Sequence, residues 1–358
     1  MSLAPTYSEL LGPFLWAGVI TFALCWLVVL TTRWHGAYSL DELQGVQKMH
    51  LHAAPRIGGL PIVLALLLIA FELPPALQND LLPWLFAGSI AFAFGLAEDL
   101  TKRVGIRSRL LATIASGIAA WFLTGYSLSS VNVVGIDWLL QFSLVSVIFT
   151  ALAVGGVANA INIIDGLNGL AGSMVIWSML GIATLAAGLG DTTLARTCIL
   201  FIACTLGFLF VNWPWGKIFL GDGGAYFLGF SLAWACVLLV ERHAEVSAFA
   251  ALLLCIHPIT EVAYSALRRH NRKHHPAHPD RLHFHSLVKR RVMLRLLPNS
   301  SKVTRNSISG IAVGSMSIIP AVLVQFVFHD TLLCIAAILV LSLSYVLLYR
   351  QSLTQIRS

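Results

Sequence analysis

The segment 159–172 reads NAINIIDGLNGLAG and spaces Asn159, Asn162, Asp165 and Asn168 three residues apart. These residue types are poor choices for a helix interior, since short polar side chains compete for the backbone and glycine costs entropy. They are good choices where oxygen ligands or close backbone approach are wanted. Four other stretches share this character. KMHLHAAPRIGG (48–59) carries Lys48 and Arg56 ahead of a glycine pair, and GLAEDLTKR (95–103) carries Glu98 beside Asp99. GKIFLGDGGAYFLGF (216–230) sets Asp222 among glycines, and HPAHPDRLHFHSLVKRR (275–291) contributes Arg281, His283 and His285. Carboxylates and amide oxygens suit a hard divalent cation such as magnesium, which keeps water or substrate phosphate in its shell. Lys, Arg, His and glycine-rich N–H groups suit phosphates. In combination these parts fit phosphoryl transfer, where a protein mainly positions groups and neutralises charge.

Each cluster also has a plainer reading. Glu98 and Asp99, followed by Lys102 and Arg103, make a solvated helix end with pairs at helical spacing. Lys48 and Arg56 serve as lipid-facing anchors, Asp222 as a turn residue, and His283 and His285 as ordinary loop histidines. His257 reads as a hydrogen-bonded helix residue, whereas Glu261 is an intramembrane acid of the kind that is either functional or paired.

The elements that position these groups follow from composition. Hydrophobic residues make up 58% of the 358, charged residues 11%, and the mean hydropathy is +0.82. A soluble domain carries roughly 25% charged residues, so this chain cannot cover a water-facing surface and is read as an all-α polytopic membrane protein. No linker or low-complexity tract divides it, and residues 1–358 are taken as a single membrane domain. The N-terminal apolar run, Pro13 to Leu30, lacks a basic leader and exceeds the ~7–15 residues of a signal-peptide core, so it is read as a span. The six cysteines lie in apolar runs without a CxxC pair and are read as packing residues.

Apolar runs near 13–32, 58–73, 81–97, 108–125, 139–158, 169–189, 194–211, 224–240, 246–266, 308–328 and 331–349 predict eleven transmembrane helices. With the N-terminus outside and the C-terminus inside, all of the 23 Lys and Arg residues except Arg196 and Arg242 fall on the cytoplasmic side. The polar clusters fall on that side too, in loops near 33–57, 98–107, 159–168, 212–223 and 267–307. The net charge of +7 is therefore assigned to an inner surface facing anionic lipid, worth about 1 kcal/mol per basic residue. No aromatic-interleaved basic module points to nucleic acid. The runner-up class is a transporter or lipid flippase, which predicts ionisable groups near the bilayer midplane and on both faces.

In order and spacing, "K..H....PRIGG", the acidic pair, "NAxNxxDGxxGL", "IFLGDGG" and "PDRxHxH" resemble the polyprenyl-phosphate N-acetylhexosamine-1-phosphate transferases over about residues 48–291. The H.H form and the eleven spans favour the O-antigen-type branch over the peptidoglycan branch. The resemblance implies that undecaprenyl phosphate attacks the sugar-bearing phosphorus of a UDP-N-acetylhexosamine, releasing UMP and starting a lipid-linked glycan. It implies magnesium, with manganese as a substitute, and a bacterial inner-membrane location with the site facing the cytoplasm. By the same resemblance, Asp222 and Asn162 hold the metal. Asp99, with Glu98 beside it, engages the lipid phosphate, and Asp165 lies near the nucleotide diphosphate. Arg281, His283 and His285 bind the pyrophosphate, while Lys48, Arg56, Asn159 and Asn168 contact substrate. Membrane lipids are further partners, and a homodimer is left open. Three positions depart from the family pattern: Glu98 replaces the first acid of an Asp-Asp pair, Asn168 replaces a second acid, and GDGG continues to Ala-Tyr.

Overall fold

The computed structural model describes residues 7–40, 54–271 and 282–354, so Lys48 and Arg281 lie outside the described residues. The described chain is helical throughout. Its elements are α1 (Tyr7–Leu30), α2 (Thr32–Ser39), α3 (Gly59–Ala70), α4 (Pro75–Thr101), α5 (Ile106–Thr124), α6 (Val134–Leu140), α7 (Ser143–Ile164), α8 (Leu170–Gly188) and α9 (Thr192–Asn212). There follow α10 (Gly221–Arg242), α11 (Ala248–Leu254), α12 (Ile256–Asn271), α13 (Phe284–Leu287), α14 (Met293–Leu296), α15 (Lys302–Gly314), α16 (Ile318–Val327) and α17 (Thr331–Thr354). A short π turn joins α13 to α14, and a 3-10 turn at Ser315–Ser317 joins α15 to α16.

Every apolar run carries a helix, but two do not make a plain span. Nine helices among the described residues are long and apolar enough to cross a membrane, or ten if the bent pair α11–α12 counts as one. The run at 58–73 yields the 12-residue α3, about 18 Å long against ~30 Å of hydrocarbon. Its start is tied to the loop before α10, where Gly58 N and Gly59 N donate to Phe219 O and Leu220 O, both at 2.9 Å. Its end is set by Leu73-Pro74-Pro75, where α4 begins. The run at 246–266 breaks by 77° between α11 and α12. Pro258 sits in the first turn of α12 and has no N–H to offer the carbonyl of Leu254, the last residue of α11. Ser178 Oγ donates to that carbonyl instead, at 2.8 Å.

α10 is the hub. Every residue from Gly221 to Val240 is buried, and α10 packs chiefly on α4 and α7. Small residues let the backbones meet: a Cβ added at Gly59 would lie 2.3 Å from Gly224 Cα, and one at Gly229 2.8 Å from Ala158 Cα. The outer helices α1 and α17 show large apolar side chains instead, including Leu15, Trp16, Leu332 and Leu339, as surfaces meant for lipid do.

The two ends of the bundle differ. At the end where α10 finishes, Arg242 forks onto Asp80 at 2.7 and 2.8 Å, reaches Asp191 at 3.3 Å and lies over Tyr126. That end is thus less bare than the sequence implies, but its charges answer one another and clamp α4, α9 and α10. The polar residues of the sequence motifs collect at the opposite end.

Candidate active site

At that opposite end α3, α5 and α10 begin while α4 and α7 finish, and antiparallel packing makes their polar termini meet. Asp222, in the first turn of α10, is the focus. Its Oδ1 accepts from Asn162 Nδ2 at 3.2 Å and from Arg56 Nη2 at 3.3 Å, and Arg109 Nη1 pairs with its Oδ2. Arg56 Nη2 also stands 3.6 Å from Asp99 Oδ1. Side chains more than a hundred residues apart thereby share one charge cluster.

Asp99 is 1% exposed and has a definite occupation. Its two oxygens accept the backbone N–H groups of Asp222 at 3.0 Å and Gly223 at 2.9 Å. A carboxylate from the end of α4 thus caps the start of α10, meeting both its unsatisfied donors and the positive end of its dipole. Gly221 makes this approach possible. Its φ is +77°, and a Cβ there would fall 2.0 Å from Arg56 O and 2.5 Å from Asp99 Oδ2. Glu98 accepts from Val104 N at 2.8 Å and closes the turn into α5.

The four residues of the opening motif part company. Asn162 reaches Asp222, while Asp165 ends α7 partly buried beside it. The Asp165 carboxylate receives no hydrogen bond from the described residues. Desolvation pushes it up to about 7, against the pull of the Arg56 guanidinium and with the charges of Asp222 and Asp99 adding to the rise. Asn159 instead braces α7 on α5, donating to Thr113 Oγ1 and Gly155 O at 2.8 Å. Asn168 is buried and donates through Nδ2 to Ser307 Oγ at 3.2 Å and Pro214 O at 3.4 Å, while its backbone N donates to Asn306 Oδ1 at 2.9 Å. The motif in which the resemblance set Asn159 and Asn168 at the substrate is thus divided. Residues three apart share one helix face only while the helix lasts, and α7 stops at Ile164, so Asp165 and Asn168 leave the face that Asn162 presents.

The histidine motif docks on the same loop. His283 and His285 stack in parallel, with centroids 5.5 Å apart and planes 3° apart. A Cβ at Gly166 would fall 2.6 Å from His285 Nε2, so that glycine lets the imidazole lie against the loop next to Asp165. Burial pushes His285 down to about 4 and keeps it neutral, the nearby Glu261 charge only partly opposing this. Glu261 anchors the motif: its Oε1 accepts from His283 Nδ1 at 2.9 Å, and its Oε2 from the Tyr345 hydroxyl at 2.6 Å.

Two groups in this assembly escape the motif reading. Arg109 had one usable signal, since cations in the first turn of a helix oppose its dipole and need an anionic partner. Tyr345 had none, being a lone tyrosine in an apolar helix. As for a metal, no group of three or more His, Cys, Asp or Glu side chains is assembled among the described residues. Magnesium needs no such cage, because one or two carboxylates plus substrate phosphate suffice. Asp222, the unsatisfied Asp165 and the Asn162 amide fit that demand, the amide's O and N being interchangeable by a flip.

Residues 81–240, from α4 to the end of α10, match the glycosyl transferase family 4. The probable undecaprenyl-phosphate N-acetylglucosaminyl 1-phosphate transferase of Bacillus subtilis is 28% identical over 67% of this chain and 66% of its own length. The undecaprenyl-phosphate alpha-N-acetylglucosaminyl 1-phosphate transferase of Thermotoga maritima is 29% identical over 78% and 81% respectively. A phospho-N-acetylmuramoyl-pentapeptide-transferase of Clostridium perfringens is 30% identical over 54% and 64%. The chain thus spans slightly less than two thirds of the length of the Bacillus and Clostridium relatives. Motif order, helical membrane architecture and these likenesses agree: the chain is similar to the polyprenyl-phosphate N-acetylhexosamine-1-phosphate transferases.

Proposed function

We propose that this protein transfers an N-acetylhexosamine 1-phosphate from a UDP-sugar to undecaprenyl phosphate, at the cytoplasmic face of a bacterial inner membrane. The observation that carries this reading is the meeting of Arg56, Asp99, Arg109, Asn162 and Asp222 at one end of the bundle, with Asp165 and the histidine pair beside them. An oxygen of the lipid phosphate attacks the sugar-bearing phosphorus, and the bond from that phosphorus to UMP breaks. A phosphate monoester has a second pKa near 6 and is already largely dianionic at neutral pH, so no strong base is required. Asp99 accordingly works through Asp222 rather than on the proton. Arg56 and Arg109 fix the Asp222 carboxylate, and the imidazoles of His283 and His285 meet the diphosphate. Asp222, Asn162 and Asp165 would hold magnesium, which when bound neutralises the repulsion between nucleophile and diphosphate.

The transporter reading fares worse. A cavity of about 270 Å3 between α7, α10 and α11 is lined by apolar side chains such as Phe149, Val154, Val237 and Leu252, a lining suited to hydrocarbon and not to a polar solute. The deciding experiment incubates purified protein with undecaprenyl phosphate and a panel of radiolabelled UDP-sugars, with and without magnesium. Labelled lipid that needs the cation is the expected product. Absence of labelled lipid with every donor would overturn the proposal.

A further inference from the structure

Behind the histidine motif lies a small cavity of about 10 Å3, bordered by Ile164, His257, Glu261, His285, Met316 and Tyr345 among others. That is room for about one water-sized sphere. Two buried nitrogens there, His257 Nε2 and His285 Nδ1, meet no hydrogen-bond partner among the described residues. Their residues are 8% and 5% exposed, so bulk water does not serve them. A buried polar atom left unpaired costs about 1–3 kcal/mol.

The hydrogen-bond roles can be worked out. The Met316 backbone carbonyl stands by the His257 ring as an acceptor, and because Nε2 is the unpartnered nitrogen, the ring proton is assigned to Nδ1. His257 Nε2 is therefore a bare acceptor. Glu261 offers no lone pair to a newcomer. Its Oε1 already accepts from His283 Nδ1, Ser265 Oγ and Phe284 N, and its Oε2 from the Tyr345 hydroxyl and Phe284 N. A water in this cavity can donate one proton to His257 Nε2, and its second proton finds an acceptor in His285 Nδ1 when that nitrogen carries no proton of its own.

We propose that this cavity is a built site for one ordered water, through which His257 acts as a positioning residue that holds His285 in the tautomer with its proton on Nε2. That nitrogen faces Gly166, beside Asp165. A neutral imidazole donating from Nε2 offers a hydrogen bond to an anionic diphosphate, whereas the other tautomer would present a lone pair and repel it. This deepens the transferase reading and rests on it for the identity of the diphosphate, but not for the water or the tautomer. His257, far from the motif in sequence, thereby becomes a determinant of donor binding.

The test has two arms. In 15N-histidine-labelled protein without substrate, ring nitrogen shifts should show His285 as the Nε2–H tautomer, assigned with His285→Asn. His257→Phe removes the acceptor and should move His285 substantially toward Nδ1–H, while His257→Gln, which restores an acceptor, should keep the wild-type pattern. In the kinetic arm, His257→Phe should raise KM for the nucleotide sugar about tenfold with kcat within about twofold, the pattern of lost uniform binding. His257→Gln should stay within about threefold of wild type. An Nδ1–H tautomer in the wild type overturns the proposal. So does an unchanged His285 spectrum in folded His257→Phe, or equal defects in Phe and Gln variants. If His257→Phe does not fold, the wild-type spectrum and the Gln variant still decide. If the spectra behave as expected but no donor is turned over, the transferase reading fails and the water site stands.

Discussion

Asp99→Asn separates a base from a brace. The Asp99 carboxylate is 1% exposed and receives two backbone N–H groups at 2.9 and 3.0 Å from the first turn of α10. An asparagine retains one acceptor oxygen, so one of the two donors loses its partner and faces an NH2 group instead. Hydrogen bonds to a charged acceptor contribute about 1.5–3 kcal/mol, and the loss of charge at a helix start removes roughly another 0.3–1 kcal/mol. The expected destabilisation is therefore about 2–4 kcal/mol. It acts on the turn that carries Asp222, so the loss of about 1.5–3 kcal/mol from positioning translates into a turnover roughly 10- to 150-fold slower. The assay pairs a melting curve in detergent with initial rates of labelled-lipid formation. Both should fall together, and the rate should recover little with more alkaline buffer. A variant that melts like the wild type yet is inactive would refute the capping argument and return Asp99 to direct contact with substrate.

Other expectations follow from the same geometry. Arg109→Met removes the guanidinium paired with Asp222 Oδ2 and should cost about tenfold or more in turnover; steady-state rates within twofold of wild type would mean that the pairing is incidental. Glu261→Gln should lower kcat/KM well beyond Tyr345→Phe, whose single lost hydrogen bond is worth about 0.5–1.5 kcal/mol, since Glu261 holds His283 directly at 2.9 Å. Equal defects would argue against that hierarchy. Asn159→Ala should lower the melting temperature by breaking the α5–α7 brace while leaving KM for the sugar donor unchanged, and a raised KM would place Asn159 at the substrate. Asp165 carries a pH signature. Its carboxyl is raised from 3.8 to about 7, so in chelator the folded state binds a proton that the unfolded chain has lost, and stability falls as pH rises through that window. Asp165→Asn should flatten the fall in melting temperature and abolish transfer; parallel pH profiles for the two proteins would contradict this.

Composition alone settled that the chain lives in a membrane, because 11% charged residues cannot cover a water-facing surface. Hydropathy located the helices for the same reason, since each run must satisfy its own backbone within lipid. Spacing and residue type singled out Asp99, Asp165, Asp222 and the histidine pair, whose chemistry is too costly in a bilayer to be incidental. What the linear chain does not carry is which partner each polar group meets. Two neighbours in one motif, Asn162 and Asn168, face an aspartate at the site and a buried serine respectively, because α7 ends between them and the chain changes direction. Asp99 becomes a helix cap and Arg109 its neighbour's counter-ion only when α4, α5 and α10 are laid side by side. The bend at Pro258 likewise needs its context, since Ser178 on another helix takes the Leu254 carbonyl that the proline leaves open. Local pattern dictates what a residue can do; packing across the bundle decides to whom it does it.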